Sequence, residues 1–287
     1  MISVIIPLYN KGGCIENTIQ SVLNQSYTNF ELIVVDDGST DNSVEVVKSF
    51  NDNRIVLYQK ENGGVSSARN YGIDKVKGNW IFFLDADDTI EDKCLESLFY
   101  LSIQYPLSVI ATSNYQIIDI NNKSVRKVCK GNSEEIIKNP YKAIWLHKIE
   151  PRTGNTIIRK DWIQKTGYYN IDISIYEDME FILRLCRDAI IAYSPKVLFS
   201  YEKSNSELSV IDKPLESHYS YDIDLNKGSF YEKLIKAEIV YIQLRRYLSI
   251  GNKKRVVQLW GINKRHLFII SYAALYRKII KLSRNKH

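Results

Sequence analysis

Over the first 120 residues of this 287-residue chain two hydrophobic periodicities take turns, and that alternation narrows the choice of fold more than any other feature. The runs SVIIPLY, ELIVVDD, RIVLYQ, WIFFLDA and SVIATSNYQII are apolar and rich in Val, Ile and Tyr, as strands are. Between them ENTIQSVLNQS, DNSVEVVKSF, SSARNYGIDKV and DKCLESLFYLSIQ follow helical patterns. Strand alternating with helix implies βαβ units, hence an α/β fold with a mostly parallel sheet and helices on both faces. In such sheets ligands sit beyond the carboxyl ends of the strands. The odd polar residues gather there: Asp36 and Asp37 close the second strand, and Asp85, Asp87 and Asp88 close the fourth.

Beyond residue 120 the order loosens. SEEIIKNPYKAIWLHK and EDMEFILRLCRDA read as helices, TIIRK and AIIAYSPKVLFSY as strands, and SNSELSV as a polar loop. After Lys227 the pattern is helical, interrupted at Gly251-Asn252. The expected organisation is a ligand-binding α/β half over residues 1–120, a second half of the same domain over 121–225, and a helical extension over 226–287.

The extension has a charge balance of its own. From Lys227 onward fifteen Lys and Arg stand against Glu232 and Glu238 alone, so the overall net charge of +6 leaves the rest of the chain acidic. Trp260, Leu267, Phe268, Tyr272 and Tyr276 interleave with these cations, as in helices that lie on an anionic membrane. Nucleic acid would suit the charge, but nothing upstream supports that chemistry. The start, MISVIIPLYN, lacks the basic and long apolar regions of a secretory signal. HLFIISYAALY is the longest apolar stretch and falls well short of the ~20 residues that span a bilayer. The expectation is a cytoplasmic protein, peripheral on the inner membrane face. Cys14, Cys94, Cys129 and Cys186 form no CxxC pair, and the four histidines lack metal-ligand spacing.

Three stretches carry chemistry. Asp36-Asp37-Gly38-Ser39-Thr40-Asp41 reads as a strand end, a turn and a helix cap, yet a cap needs only one acid. The spare carboxylate suits a base N–H or a ribose hydroxyl, and Tyr9 at the tip of the first strand offers a flat face for a base. Asn62-Gly63-Gly64 leads into a helix bearing Arg69, which is placed to meet a phosphate or another acid. In Phe82-Phe83-Leu84-Asp85-Ala86-Asp87-Asp88-Thr89, acids at i and i+2 of an extended chain project to one side and can share one cation. Their hard oxygens suit Mn²⁺ or Mg²⁺ with a diphosphate supplying the remaining ligands. The same string fits the Asp-x-Asp-x-Thr nucleophile motif of the haloacid dehalogenase phosphatases, which could also use Thr112 or Ser113. That fold normally opens with its Asp-x-Asp strand, whereas here three strand–helix units come first. A non-catalytic nucleotide-sugar-binding module is the third alternative.

Taken in order, SVIIPLYN, ELIVVDDGSTD, NGGVSSARNYG and WIFFLDADD resemble the family 2 glycosyltransferases, inverting enzymes of the Rossmann-like GT-A fold. The resemblance is close to about residue 110 and looser to about 210. It implies that Tyr9 and Asp37 hold the nucleobase of a nucleoside-diphosphate sugar, with Pro7 shaping the pocket and Asp36 nearby. It also implies that Asp85, beside Ala86, reaches the ribose, that Asp87 binds the metal, and that Arg69 lies along the nucleotide pocket. Glu177-Asp178 stands where the family has its Glu-Asp motif, with Asp178 the catalytic base; acids in a first helical turn also simply suit the macrodipole. Asp88 and Glu177 are secondary candidates. So is Ser204, in the loop where many members carry a histidine. The implied activity is transfer from a UDP-linked sugar to a glycan or lipid-linked acceptor in surface polysaccharide synthesis.

Overall fold

The computed structural model describes residues 1–119, 123–203 and 213–284. They form two compact units. The first comprises Met1–Ile171 and the stretch from Glu177 through the last strand; the second comprises Asp172–Tyr176 and the C-terminal helices.

The first unit is built on a ten-stranded sheet. Strands β1 (Ile2–Leu8), β2 (Phe30–Asp36), β3 (Ile55–Gln59) and β4 (Trp80–Phe83) run parallel in the order β3-β2-β1-β4. Helices α1 (Ile15–Leu23), α2 (Ser43–Lys48) and α3 (Val65–Lys75) make the crossovers. Every residue of β1 and β2 is buried, which is why both read as largely apolar runs; the exceptions within them, Ser3 and Glu31, satisfy each other by a hydrogen bond at 2.5 Å. The two faces part by alternation. Ile2, Val4, Ile6 and Leu8 enter a core with Ile15, Ile19 and Val22 of α1 and with Leu95, Leu98 and Leu101 of α4 (Cys94–Gln104). Ile5 faces α3, so closely that a Cβ on Gly72 would lie 2.6 Å from its Cγ2.

Past the short β5 (Thr89–Ile90) the sheet becomes mixed. Strand β6 (Ile110–Asp119) runs beside β10 (Ile191–Lys203) in parallel, and β9 (Thr156–Arg159) lies antiparallel between β4 and β6. Strands β7 (Ser124–Lys127) and β8 (Glu135–Ile137) pair antiparallel with β6 and β10. The stretch SEEIIKNPYKAIWLHK, expected as one helix, divides into β8 and the short α5 (Pro140–Trp145). Pro140 is the reason: it lacks an N–H, biases Asn139 away from helix, and is at home as the first helical residue. Asn139 accepts the Lys142 N–H as the cap, at 3.0 Å. Helices α6 (Lys160–Thr166) and α7 (Glu177–Leu185) complete this unit.

The second unit is helical: α8 (Tyr219–Asp222), α9 (Phe230–Ser249), α10 (Lys253–Asn263) and α11 (Leu267–Arg284). The interruption read at Gly251-Asn252 is the turn between α9 and α10, with Gly251 at φ +73° and Asn252 accepting the Arg255 N–H at 3.2 Å. His218 is fully buried there, its Nδ1 facing Tyr247 Oη (3.0 Å) and Gln243 Nε2 (3.3 Å).

Candidate active site

The parallel strands deliver the candidate residues to their carboxyl ends, as the alternation required. Pro7 is buried within β1, and Tyr9, just beyond it, is 48% exposed and free to stack. Asn10 ties the two strand tips together: its N–H donates to Ser39 Oγ (3.0 Å) and its Oδ1 accepts the Thr40 N–H (2.8 Å). Asp36 is buried and turned to the Ser39 N–H (3.2 Å). Asp37 is equally buried and accepts from the Gly63 N–H (3.0 Å), the Gly64 N–H (2.7 Å) and Lys60 Nζ (2.5 Å). This acid therefore holds the glycine loop against the end of β2. Gly64, at φ +87°, needs the conformational freedom that only glycine has without strain.

The acidic string behaves differently from its extended-chain expectation. The chain leaves β4 at Phe83 and turns, with the Asp88 N–H donating to the Asp85 carbonyl at 3.1 Å. In that turn the carboxylates of Asp85 and Asp87 each contact a different basic side chain. Asp85 accepts from Arg69 Nη2 at 2.8 Å, and Asp87 from Lys11 Nζ at 2.6 Å. Ala86 is buried, its carbonyl anchored by Thr18 Oγ1 at 2.9 Å.

Arg69 is the hub. It is 3% exposed on the sheet-facing side of α3, where Asp85 meets one nitrogen and Glu177 Oε1 the other at 3.4 Å. Its Cζ lies 5.0 Å from the centre of the Tyr169 ring, which stacks in turn on Phe181 of α7 at 3.9 Å. Burial opposes the charge on Arg69; Tyr169, Asp85 and Glu177 more than offset it. Residues 69, 85 and 177, far apart in the chain, thus meet in one ion-pair network. Helix α7 is held in place by Arg184, which pairs with Glu180 (2.8 Å) and donates to the Thr166, Gly167 and Tyr168 carbonyls at 2.7–2.8 Å. Burial and the adjacent Asp178 charge push the Glu177 carboxyl up, against the pull of Arg69. Asp178 is half-buried beside it, its Oδ1 accepting the Met179 N–H at 2.8 Å. Ser204 lies outside the described residues.

Four partners escaped the sequence reading: Lys11, Lys60, Arg152 and Tyr169. Lone cations in loops carry no periodicity. The usable clue was the surplus of acids, which demands nearby cations. The other rival residues fare poorly. Thr112 and Ser113 are fully buried and hydrogen-bonded to the β9 edge through Thr156 and Asn155, out of reach of any substrate.

A divalent cation fits this site. Burial, with the charges of Asp85 and Asp87, pushes the Asp88 carboxyl up to about 8, against the pull of Arg152 and Lys11. Asp85, Asp87 and Asp88 together supply hard carboxylate oxygens, the donor type that Mn²⁺ or Mg²⁺ takes. Among the described residues no three His, Cys, Asp or Glu side chains converge as a ready-made cage. A hard cation sharing one or two carboxylates with a diphosphate needs none.

Comparison with known proteins agrees with this fold. The family model for glycosyl transferase family 2 matches residues 3–167, a span that includes the Asp85–Thr89 string. Glycosyltransferase GlyA of Streptococcus pneumoniae is 41% identical over 116 residues, which is 40% of this chain and 16% of GlyA. The minor teichoic acid biosynthesis protein GgaA of Bacillus subtilis is 30% identical over 239 residues, 79% of this chain and 52% of GgaA. The chain therefore spans no more than about half the length of either relative. Among solved structures, S. aureus TarS 1–349 in complex with UDP-GlcNAc superposes with a TM-score of 0.67 at 22% identity, covering 86% of this chain and 72% of that one. At that identity the likeness establishes the fold.

Proposed function

The chain belongs to glycosyl transferase family 2, and on that premise we propose that it transfers a sugar, with inversion, from a UDP-linked donor to a hydroxyl of a glycan or lipid-linked acceptor. The observation that carries this reading is the Arg69 bridge, which joins the Asp85 end of the donor strands to the Glu177-Asp178 start of α7. Donor-side and acceptor-side acids thereby share one small volume. TarS in complex with UDP-GlcNAc supports the choice of donor class, and GgaA supports polysaccharide synthesis as the setting.

In this reading Tyr9 stacks on the base. Asp37 offers it an acceptor, Pro7 and Asp36 shape the pocket, and Asp85 with Ala86 meets the ribose. Asp178 takes the proton of the acceptor hydroxyl while that oxygen attacks the anomeric carbon from the face opposite the diphosphate. The bond to the diphosphate breaks with its electron pair leaving on the phosphate oxygen, so one displacement inverts the centre. Asp87, with Asp88 behind it, would hold Mn²⁺ or Mg²⁺, which supplies positive charge against that developing on the leaving group. Lys11 adds a cation at the same place.

The second unit supports a further part of the proposal, docking on an anionic membrane surface. Helix α11 buries Ile270 and Ala273, while Leu267, Phe268 (87% exposed), Tyr272 and Leu275 are open to solvent. Lys264, Arg265 and Lys278 flank that open apolar strip. No described helix is long and apolar enough to cross a membrane.

The deciding experiment compares Asp178→Asn and Glu177→Gln for donor binding and transfer. Asp178→Asn should bind UDP-sugar normally and lose ~10²–10⁴ in turnover, the usual cost of a lost acid or base. Near wild-type transfer by Asp178→Asn, or an inactive Glu177→Gln, would reject the assignment of the base.

A further inference from the structure

We propose that residues 172–176 are a positioning strap for the base Asp178. They are hydrogen-bonded into the helical unit beside His218, and through a left-handed Tyr176 they fix how the chain enters Glu177 and Asp178. The proposal rests on the transferase reading above.

The strap belongs by its contacts to the second unit, although in sequence it lies between two stretches of the first. The Ser174 N–H donates to the Ser217 carbonyl at 2.8 Å, and the Tyr219 N–H to the Ile175 carbonyl at 3.0 Å. Ile175 and His218 are thereby paired as a short parallel bridge. Ser174 Oγ donates to Ser217 Oγ at 2.8 Å, and Lys213 Nζ reaches the Ser174 carbonyl at 3.4 Å. The strap also buries an apolar side chain, Ile173.

The receiving side is tied down in turn. His218 is fully buried, and its Nδ1 meets Tyr247 Oη and Gln243 Nε2, which stand one turn apart on α9. Both of those side chains are buried as well. On α10, Arg255 donates from Nη2 to the Lys213 carbonyl at 2.6 Å and lies 5.5 Å over the Tyr247 ring. An apolar residue could fill the His218 position without desolvating a polar group. A hydrogen-bonded polar node instead specifies one arrangement of the elements that meet at it, here α9 and the bridge partner of Ile175.

Tyr176 then turns at φ +63°, in the left-handed region that a bulky aromatic residue seldom occupies. Such a conformation persists only where its surroundings over-determine it, and it gathers at functional sites. Glu177 and Asp178 are the next two residues, in the first turn of α7. The peptide bond from Tyr176 carries the constraint straight to them. A base must come within hydrogen-bond reach of the acceptor hydroxyl, so an error of ~1 Å in where α7 starts is worth up to about a hundredfold in rate.

The test compares steady-state transfer, UDP titration and thermal melts for His218→Leu, His218→Asn, Tyr176→Val and Tyr176→Asn. His218→Leu unties the bridge from α9 and should lower kcat about tenfold to a hundredfold, with donor KM and UDP affinity within about threefold of wild type. His218→Asn keeps an acceptor near the Nδ1 position and should recover most of that loss. The Tyr176 pair separates backbone from side chain, and decides the matter if His218→Leu fails to fold. Asparagine tolerates the left-handed region and β-branched valine does not. Tyr176→Asn should therefore keep kcat within about threefold, while Tyr176→Val should lose about tenfold or more. A folded His218→Leu with wild-type kcat, equal losses in the two Tyr176 variants, or a loss confined to donor KM would overturn the proposal. Absence of transfer by the wild-type protein from any nucleotide sugar would instead reject the transferase reading.

Discussion

Arg69→Met removes the cation that joins α3, the acidic turn and α7, and leaves Asp85 and Glu177 facing each other across the gap. Breaking a buried ion pair from one side costs ~3–5 kcal/mol, because the surviving charge stays buried. Two observations pull the figure to the low end: Asp85 retains 34% side-chain exposure and can rehydrate, and the Glu177 contact is long at 3.4 Å. Loss of the Tyr169 face adds ~0.5–1 kcal/mol, and Met refills much of the volume. The sum is about 3 kcal/mol, a fall of roughly 1 M in urea midpoint for a slope near 3 kcal/mol/M. Tryptophan fluorescence is the assay, since Trp80, Trp145 and Trp162 lie in the first unit and only Trp260 in the second. Adding Glu177→Gln to Arg69→Met should return about 1 kcal/mol by removing the stranded charge. A loss below about 1 kcal/mol, or strict additivity in the double variant, would refute the role given to this network.

Gly154→Ala meets two penalties, a backbone at φ +84° and a Cβ 2.5 Å from the Phe199 ring. It should lower stability by about 3 kcal/mol; a melt within ~2 °C of wild type would contradict this. Burial lowers the pKa of His218, so its ring is neutral in the folded second unit. The unfolded chain takes up that proton below about 6.5, so the stabilisation is full above that pH. It declines as pH falls, by at most about 1.4 kcal/mol per unit, and denaturation of wild type and His218→Gln at pH 7.5 and 5.5 should give different slopes. Equal slopes would remove His218 from the account. Phe268→Asp with Leu275→Asp should abolish flotation with anionic vesicles while flotation with neutral vesicles stays low throughout; equal flotation of wild type and variant would sink the membrane surface.

By itself the sequence settled what local periodicity and strand-end chemistry can settle. Fully buried strands such as β1 and β2 must be largely apolar, their crossovers must be amphipathic, and acids gathered at strand tips demand cations or hydrogen-bond donors nearby. Those constraints placed Tyr9, Asp37 and Asp85–Asp88 at one edge of a parallel sheet. Tertiary structure alone decided which charges meet. Lys11 and Asp87 are brought together only by the adjacency of β1 and β4, and Arg69 reaches Glu177 only because α7 is strapped to α6 through Arg184. Arg152 lies over the rings of Tyr115 and Tyr201 only because β6 and β10 pair parallel across a long stretch of chain. Likewise SEEII turned from helix to strand because β10 offered an open edge, while Pro140 stopped a helix from running through. Ion pairs and sheet edges are set by which elements lie side by side, a long-range property that no local pattern of residues encodes.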